Sequence, residues 1–312
     1  MNGFVVKNQA VQLALFSRRA KCKLYPKKAV FILRIESRMR LTHQPTHAGQ
    51  ALMIADNDIH LWFVFSDQIY DTSLLSGYEA LLTPEERIQQ QRFYFHSHRI
   101  HYLISRALIR TTLSLYAEVE PHEWRFSRNP YGRPEIEWPR IDCPLRFNIS
   151  HTCGLMSLAV TLQRDIGVDS ENTTCRQFDF ALAERFFAPD EVSALKALAP
   201  LSLSERFFEF WTLKEAYIKA RGMGLSIPLD QFSFHLEDDA PLGISFDPRF
   251  DDFQNNWSFW LLQPTPRHKA ALALRIEPWE TVNLICRKTI PLRQIEPYNC
   301  VILRSSFRQP YT

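Results

Sequence analysis

The segment Gly167-Val168-Asp169-Ser170-Glu171 carries two carboxylates two positions apart. On an extended strand such positions point to one side, so Asp169 and Glu171 would present their charges to a single spot. Paired carboxylates suit a hard divalent cation, and Mg²⁺ is usually held by one or two of them together with water and substrate phosphates. The plainer alternative is a strand end turning into solvent with two unpaired acids, because a short D-x-E pattern needs structural context to mean more. A second segment, Trp211-Thr212-Leu213-Lys214-Glu215-Ala216-Tyr217-Ile218-Lys219, lines up Trp211, Glu215 and Lys219 along one stripe of a helix. Glu215 there could give the metal a third carboxylate and Lys219 a charge for a phosphate. The alternative is a surface Glu–Lys pair of small energetic consequence. A third segment is Phe147-Asn148-Ile149-Ser150-His151-Thr152, preceded by Gly132-Arg133-Pro134. Adjacent residues of a strand face opposite ways, so Ser150 and His151 are poorly placed as a catalytic dyad. Ser, His and Arg together are also a plausible set of phosphate donors.

These residues need elements to position them. A β-rich run begins at Asp58 and continues to Phe65. Thr83-Pro84-Glu85-Glu86 reads as a capped helix start, with Pro84 in the first turn and Glu86 closing a capping box. The helical pattern continues, with a break, to about Tyr116, and its middle, 92–99, is basic and aromatic. Asn129-Pro130-Tyr131-Gly132 marks a turn. Strands are predicted at 147–151, Leu155–Leu162 and 166–169, and helices near 179–198 and 203–221, the latter closing at Gly222. Further strands fall at 232–236, 257–262 and 270–276. The pattern predicts an α+β fold in two similar halves either side of residue 164. The expected organisation is a basic extension outside the core at 1–56, halves at 57–164 and 165–285, and a tail at 286–312.

Composition narrows the function classes. Of the 312 residues, 46% are hydrophobic and 23% charged, ordinary proportions for a globular protein. No run of about 18 apolar residues occurs, which excludes a predicted membrane-spanning helix. The net charge of +3 hides a split: residues 1–56 hold ten Lys or Arg against two acids, while the remainder holds 27 basic and 32 acidic side chains. The body is therefore mildly acidic, which disfavours a globally nucleic-acid-binding surface. Six cysteines lie without a C-x-x-C pair, favouring a reducing compartment over a disulfide scaffold. His96, His98 and His101 lack tight metal spacing and read as a solvated helix face.

Taken in order, Tyr131-Gly132-Arg133-Pro134, Phe147–His151, Ile166–Glu171, Arg185-Phe186-Phe187 with Glu191, Trp211–Lys219 and Gly224–Leu229 resemble the 4′-phosphopantetheinyl transferases of the surfactin-synthetase-activating type. The resemblance spans about residues 58–280. It implies a monomeric pseudodimer of two α+β halves with the active site in the cleft between them, working in the cytoplasm. It also implies transfer of phosphopantetheine from coenzyme A to a serine of an acyl, peptidyl or aryl carrier protein, with release of adenosine 3′,5′-bisphosphate. By motif match, Asp169, Glu171 and Glu215 are expected to hold Mg²⁺, with Mn²⁺ as a substitute. Glu215, Lys219 and Glu191 are expected at the chemistry, Glu191 as a family acidic position. Arg133, Ser150 and His151 are expected at the nucleotide end, and Arg92 and Arg99 lend a basic character suited to coenzyme A or an acidic carrier. Ser170, where the family carries an aliphatic residue, is expected to face away from the metal. Two competing functions are a catalytically silent coenzyme A or carrier-binding homologue and a nucleic-acid-binding protein using the basic arm. The intact Asp169, Glu171, Glu215 and Lys219 speak against the former, and salt-dependent binding lost on removal of 1–56 would mark the latter.

Overall fold

The computed structural model describes residues 52–307, apart from 176, 177, 238, 239 and 278. The expectation for the basic extension falls almost wholly outside this range. The first strand, β1 (Asp58–Val64), is mostly apolar and is buried on both faces. A short helix, α1 (Thr72–Ala80), follows; it was not predicted, and the Asp71 carboxylate caps it by accepting from Ser73 and Leu74 N–H. The capping box is present: Thr83 and Glu86 bond reciprocally at the start of α2 (Pro84–Gln91). The expected break precedes α3 (His96–Leu113). A two-stranded ribbon, β2 (Arg125–Arg128) and β3 (Pro134–Trp138), then leads to β4 (Leu145–Thr152), β5 (Leu155–Leu162) and β6 (Ile166–Asn172).

The single helix expected at 179–198 is two, α4 (Phe180–Phe186) and α5 (Pro189–Lys196). Pro189 forces its predecessor Ala188 out of the helical region, and the chain restarts with the proline in the first turn. Pro200 does not end a helix but begins one, α6 (Pro200–Arg221), which closes as predicted on a left-handed Gly222 at φ +66°. The remaining strands are β7 (Phe232–His235), β8 (Gly243–Phe246), β9 (Trp257–Thr265), β10 (His268–Arg275), β11 (Asn283–Ile290), β12 (Gln294–Pro297) and β13 (Val301–Ser305).

Two larger sheets result, one in the order β12-β11-β1-β5-β4 and one in the order β13-β9-β10-β6. The segment expected to be a tail is thus integral to both. β11 pairs in parallel with β1, and β13 pairs antiparallel with β9. One core joins the sheets, with Ile59, Leu61, Phe63 and Ala159 from the first packed with Val168, Trp260, Leu262 and Leu272 from the second. Leu284, Cys286 and Ile302 of the C-terminal strands pack against it. The fold is α+β. Among the described residues, no helix is long and apolar enough to cross a membrane.

Candidate active site

Gly167 decides how close helix and strand can come. A Cβ built there would lie 2.0 Å from the Ala216 carbonyl oxygen and 2.4 Å from the Ala220 nitrogen. Only a glycine lets α6 lie this tightly on β6, and the helix offers it the small residues Ala216 and Ala220. Two residues along the strand is Asp169, and one turn along the helix from Glu215 is Lys219. The close approach brings these to one place: Lys219 Nζ lies 2.6 Å from Asp169 Oδ1.

A second seam holds β6 from its other edge. Asn148, Ser150 and Thr152 occupy alternate positions of β4 and therefore one face. Their side chains accept, in order, the backbone N–H of Val168 at 2.9 Å, Ser170 at 3.2 Å and Asn172 at 3.1 Å. A ladder of side chains here stands where a sheet would use backbone carbonyls, and it ties the edge of one sheet to the edge of the other. Ser150 is its central rung. Its hydroxyl donates to Asp169 Oδ1 at 2.9 Å and accepts from Lys219 Nζ at 3.0 Å. Ser150 was expected at the nucleotide end; it is buried instead beside Asp169 and Lys219, where it fixes the carboxylate. Ser170 turns away from Asp169, as expected, to share a hydrogen bond with Ser157 at 2.7 Å.

The three predicted acids all act on the charge of Lys219. Burial alone would lower the ammonium's pKa, but Asp169, Glu215 and Glu171 outweigh it and hold the value above the ordinary one. Lys219 therefore stays charged at neutral pH. Asp169 Oδ2 is buried and has no hydrogen-bond partner. Among the described residues, no three His, Cys, Asp or Glu side chains stand close enough to grip an ion as they lie; Asp169 Oδ1 is turned to Lys219. A buried, unpartnered carboxylate oxygen with two more acids nearby nevertheless fits a hard cation.

His151 reaches solvent at the edge of this cluster. The packing around it lowers its pKa, and the Lys219 charge adds to that effect against the opposing pull of Asp169. His98 and His101 of α3, read from sequence as a solvated face, belong to the same neighbourhood: His98 acts on His151, and His151 acts on His101. Their spacing of three residues puts both on one helix face, a signal the sequence did contain.

Other predicted residues lie elsewhere. Glu191 is sealed in the interior with Lys214, their charged atoms 2.7 Å apart and the side chains 1% and 0% exposed. Its carboxylate also accepts from Ala188 N–H at the start of α5 and from Phe234 N–H in β7. Nothing from solvent reaches it, so its task is structural and the catalytic expectation is corrected. Arg133 bonds the Ala220 carbonyl at 2.8 Å, pairs with Glu135 at 2.9 Å and covers Gly222, so it closes the end of α6. Arg92 is exposed at the end of α2, and exposed Arg99 folds back onto the Phe93 carbonyl. Nearby Arg110 is buried, bonding Glu86 at 2.6 Å and the Trp124 carbonyl.

Known proteins share this arrangement of segments. Residues 165–274, which hold β6, α6 and every predicted metal ligand, match the 4′-phosphopantetheinyl transferase superfamily. Residues 72–163 match the 4′-phosphopantetheinyl transferase N-terminal domain. The 4′-phosphopantetheinyl transferase HetI of Nostoc is 32% identical over 229 residues, covering 73% of this chain and 92% of that protein. The Sfp transferase of Bacillus subtilis is 33% identical over 59% of this chain and 80% of its own length. A further Bacillus subtilis 4′-phosphopantetheinyl transferase is 36% identical over 56% of this chain and 77% of its own. With both halves matched and a relative covered almost end to end, this chain belongs to the 4′-phosphopantetheinyl transferase superfamily.

Proposed function

We propose that this protein transfers the 4′-phosphopantetheine group of coenzyme A to a serine hydroxyl of a carrier protein and releases adenosine 3′,5′-bisphosphate. The observation that carries the reading is the meeting of Asp169, Ser150 and Lys219, with Glu171 and Glu215 acting on the same ammonium. Asp169, Glu171 and Glu215 would hold Mg²⁺, or Mn²⁺ in its place, and Asp169 Oδ2 is an acceptor left open for it. Bound there, the ion would neutralise charge developing on the pyrophosphate.

The reaction asks the protein mainly for position and charge. The serine oxygen bonds to phosphorus, the phosphoanhydride bond breaks, and the hydroxyl proton must leave. Lys219, held protonated by the acids around it, cannot take that proton; it stabilises the phosphate oxygens. Glu215, one turn before it on α6, is the proposed acceptor. Ser150 fixes the Asp169 carboxylate through their 2.9 Å hydrogen bond. His151, its pKa lowered, meets the nucleotide end as a neutral hydrogen-bonding ring, with the exposed Arg92 and Arg99 adding positive charge for coenzyme A or an acidic carrier. The same reading makes the protein a cytoplasmic monomer whose two halves form a pseudodimer around the cleft. The supporting observation is that the site draws on β4 of one sheet and β6 of the other. The test is the mass of an apo carrier protein after incubation with coenzyme A, Mg²⁺ and this enzyme. A gain of one phosphopantetheine, absent without enzyme, is expected; an unchanged mass across acyl, peptidyl and aryl carriers would overturn the reading.

A further inference from the structure

Beyond the site itself, the open end of the β4–β6 seam carries two cysteines that the mechanism does not use. Cys153 lies in the tight turn between β4 and β5, and Cys175 lies just past β6. Asn172, buried on β6, clamps both backbones with one side chain. Its Nδ2 donates to the Cys153 carbonyl at 2.8 Å, and its Oδ1 accepts from Cys175 N–H at 3.2 Å and Thr174 N–H at 3.0 Å. His268 adds a contact to the same Cys153 carbonyl at 2.9 Å. The Asn172 side chain thus holds the two cysteines side by side, and both are exposed and free. A second pair, Cys286 and Cys300, is drawn together by the Tyr298 backbone, which bonds to both, but both side chains pack against the core. Proximity is common to the two pairs; access is not.

We propose that Cys153 and Cys175 form a reversible, peroxide-driven disulfide that staples β4 to β6 next to Glu171. Chemically, one thiolate attacks hydrogen peroxide to give a sulfenic acid and hydroxide. The second thiol then attacks that sulfur, forming the S–S bond and expelling water. Two thiols are oxidised and one peroxide is reduced to two waters. Either sulfur can take the first oxidation, and the other thiol then resolves it. The cross-link closes a loop that contains β5 and β6, and it repeats covalently what the Asn148–Ser150–Thr152 ladder does by hydrogen bonding. Exposure leaves the bond open to attack by thiols, which makes it reversible in a reducing compartment.

The test treats the reduced full-length enzyme with hydrogen peroxide and maps its tryptic peptides. Cleavage at Arg164 separates the two cysteines, so a disulfide joins peptide 147–164 to peptide 165–176. The expected result is that one linkage, removed by dithiothreitol, with the Cys175 sulfenic acid trapped by dimedone in Cys153→Ser. The oxidised wild type should melt about 5 °C above the reduced form, and Cys153→Ser should show no such shift. Sulfinic acids at both positions, a cross-link between chains, or linkage of Cys286 to Cys300 alone would overturn the proposal. The peptide map of the wild type decides the matter even if a serine variant folds poorly, and it does so whatever group the enzyme transfers.

Discussion

Two lysines five residues apart on α6 meet carboxylates in opposite circumstances. Lys214 is sealed, its ammonium spending its hydrogen bonds on Glu191 at 2.7 Å, the Leu229 carbonyl at 2.7 Å and the Phe232 carbonyl at 2.6 Å. The Phe232 ring lies 4.2 Å away as a cation–π partner. One charge answers one charge, and every position is filled. Burial lowers the Lys214 pKa and raises that of Glu191, because desolvation outweighs their attraction. Lys219 is a quarter exposed and faces three acids, and its pKa moves up. The same two side-chain types thus make a closed fitting in one place and an electrostatically unfinished one in the other. Of the two, the unfinished one keeps a buried carboxylate oxygen, Asp169 Oδ2, without a hydrogen bond.

Isosteric neutralisation should separate the two most widely. Asp169→Asn keeps the shape and the Ser150 contact but removes a charge from the proposed metal site. Transfer to a carrier protein should fall about a thousandfold or more, while the melting temperature stays within about 2 °C. Near-wild-type transfer would break the comparison at its functional end. Glu191→Gln should do the reverse. It leaves the Lys214 charge buried without a counter-charge, which costs about 3–5 kcal/mol in urea unfolding. The folded fraction should keep its wild-type kcat, and a kcat loss in excess of the unfolded fraction would return Glu191 to the chemistry.

Gly167→Ala tests what brings the open fitting together. Its methyl group would meet backbone atoms of α6, which cannot rotate aside, so the helix must shift. A stability loss of about 3 kcal/mol is expected, and transfer should fall further than the unfolded fraction explains. Equal losses in both would show that the helix position does not set the Asp169–Lys219 geometry.

Much of this was readable before the structure. The capping box at Thr83–Glu86, the Gly222 stop and the period of β6 are local signals, and each stands as predicted. The three acids also came from local spacing plus a resemblance. What escaped depends on contacts far apart in sequence. Asn148, Ser150 and Thr152 were visible as one face of a strand, yet nothing local says that β6 backbone amides lie opposite. Glu191 looked like a catalytic acid because its partner Lys214 sits 23 positions away on another helix. The C-terminal strands were missed as a tail because β11 finds its partner in β1, more than two hundred residues upstream.

A third buried ionisable group, His60, sharpens the comparison in its mildest form, since Asp58, 3.8 Å away, does not offset its burial. Its Nδ1 shares a 2.8 Å hydrogen bond with the Tyr116 hydroxyl, and the ring is almost fully buried. Burial and the Arg287 charge, against a weaker pull from Asp58, push its pKa down to about 4. The folded state therefore resists a proton that the unfolded chain accepts near pH 6.5. Above that pH both states are neutral at this position and nothing is lost. As pH falls through 6.5 the unfolded chain takes up the proton first, so stability declines until about pH 4, below which both states are protonated and the loss levels off. At pH 5 the expected loss is about 2 kcal/mol relative to pH 7. Other groups titrate in that window, so the measurement is a difference: urea unfolding at pH 7 and pH 5 for wild type and for His60→Gln. The pH-dependent loss should be smaller in the variant by about that amount. Equal losses in the two proteins would mean that His60 accepts its proton in the folded state as readily as in the unfolded chain.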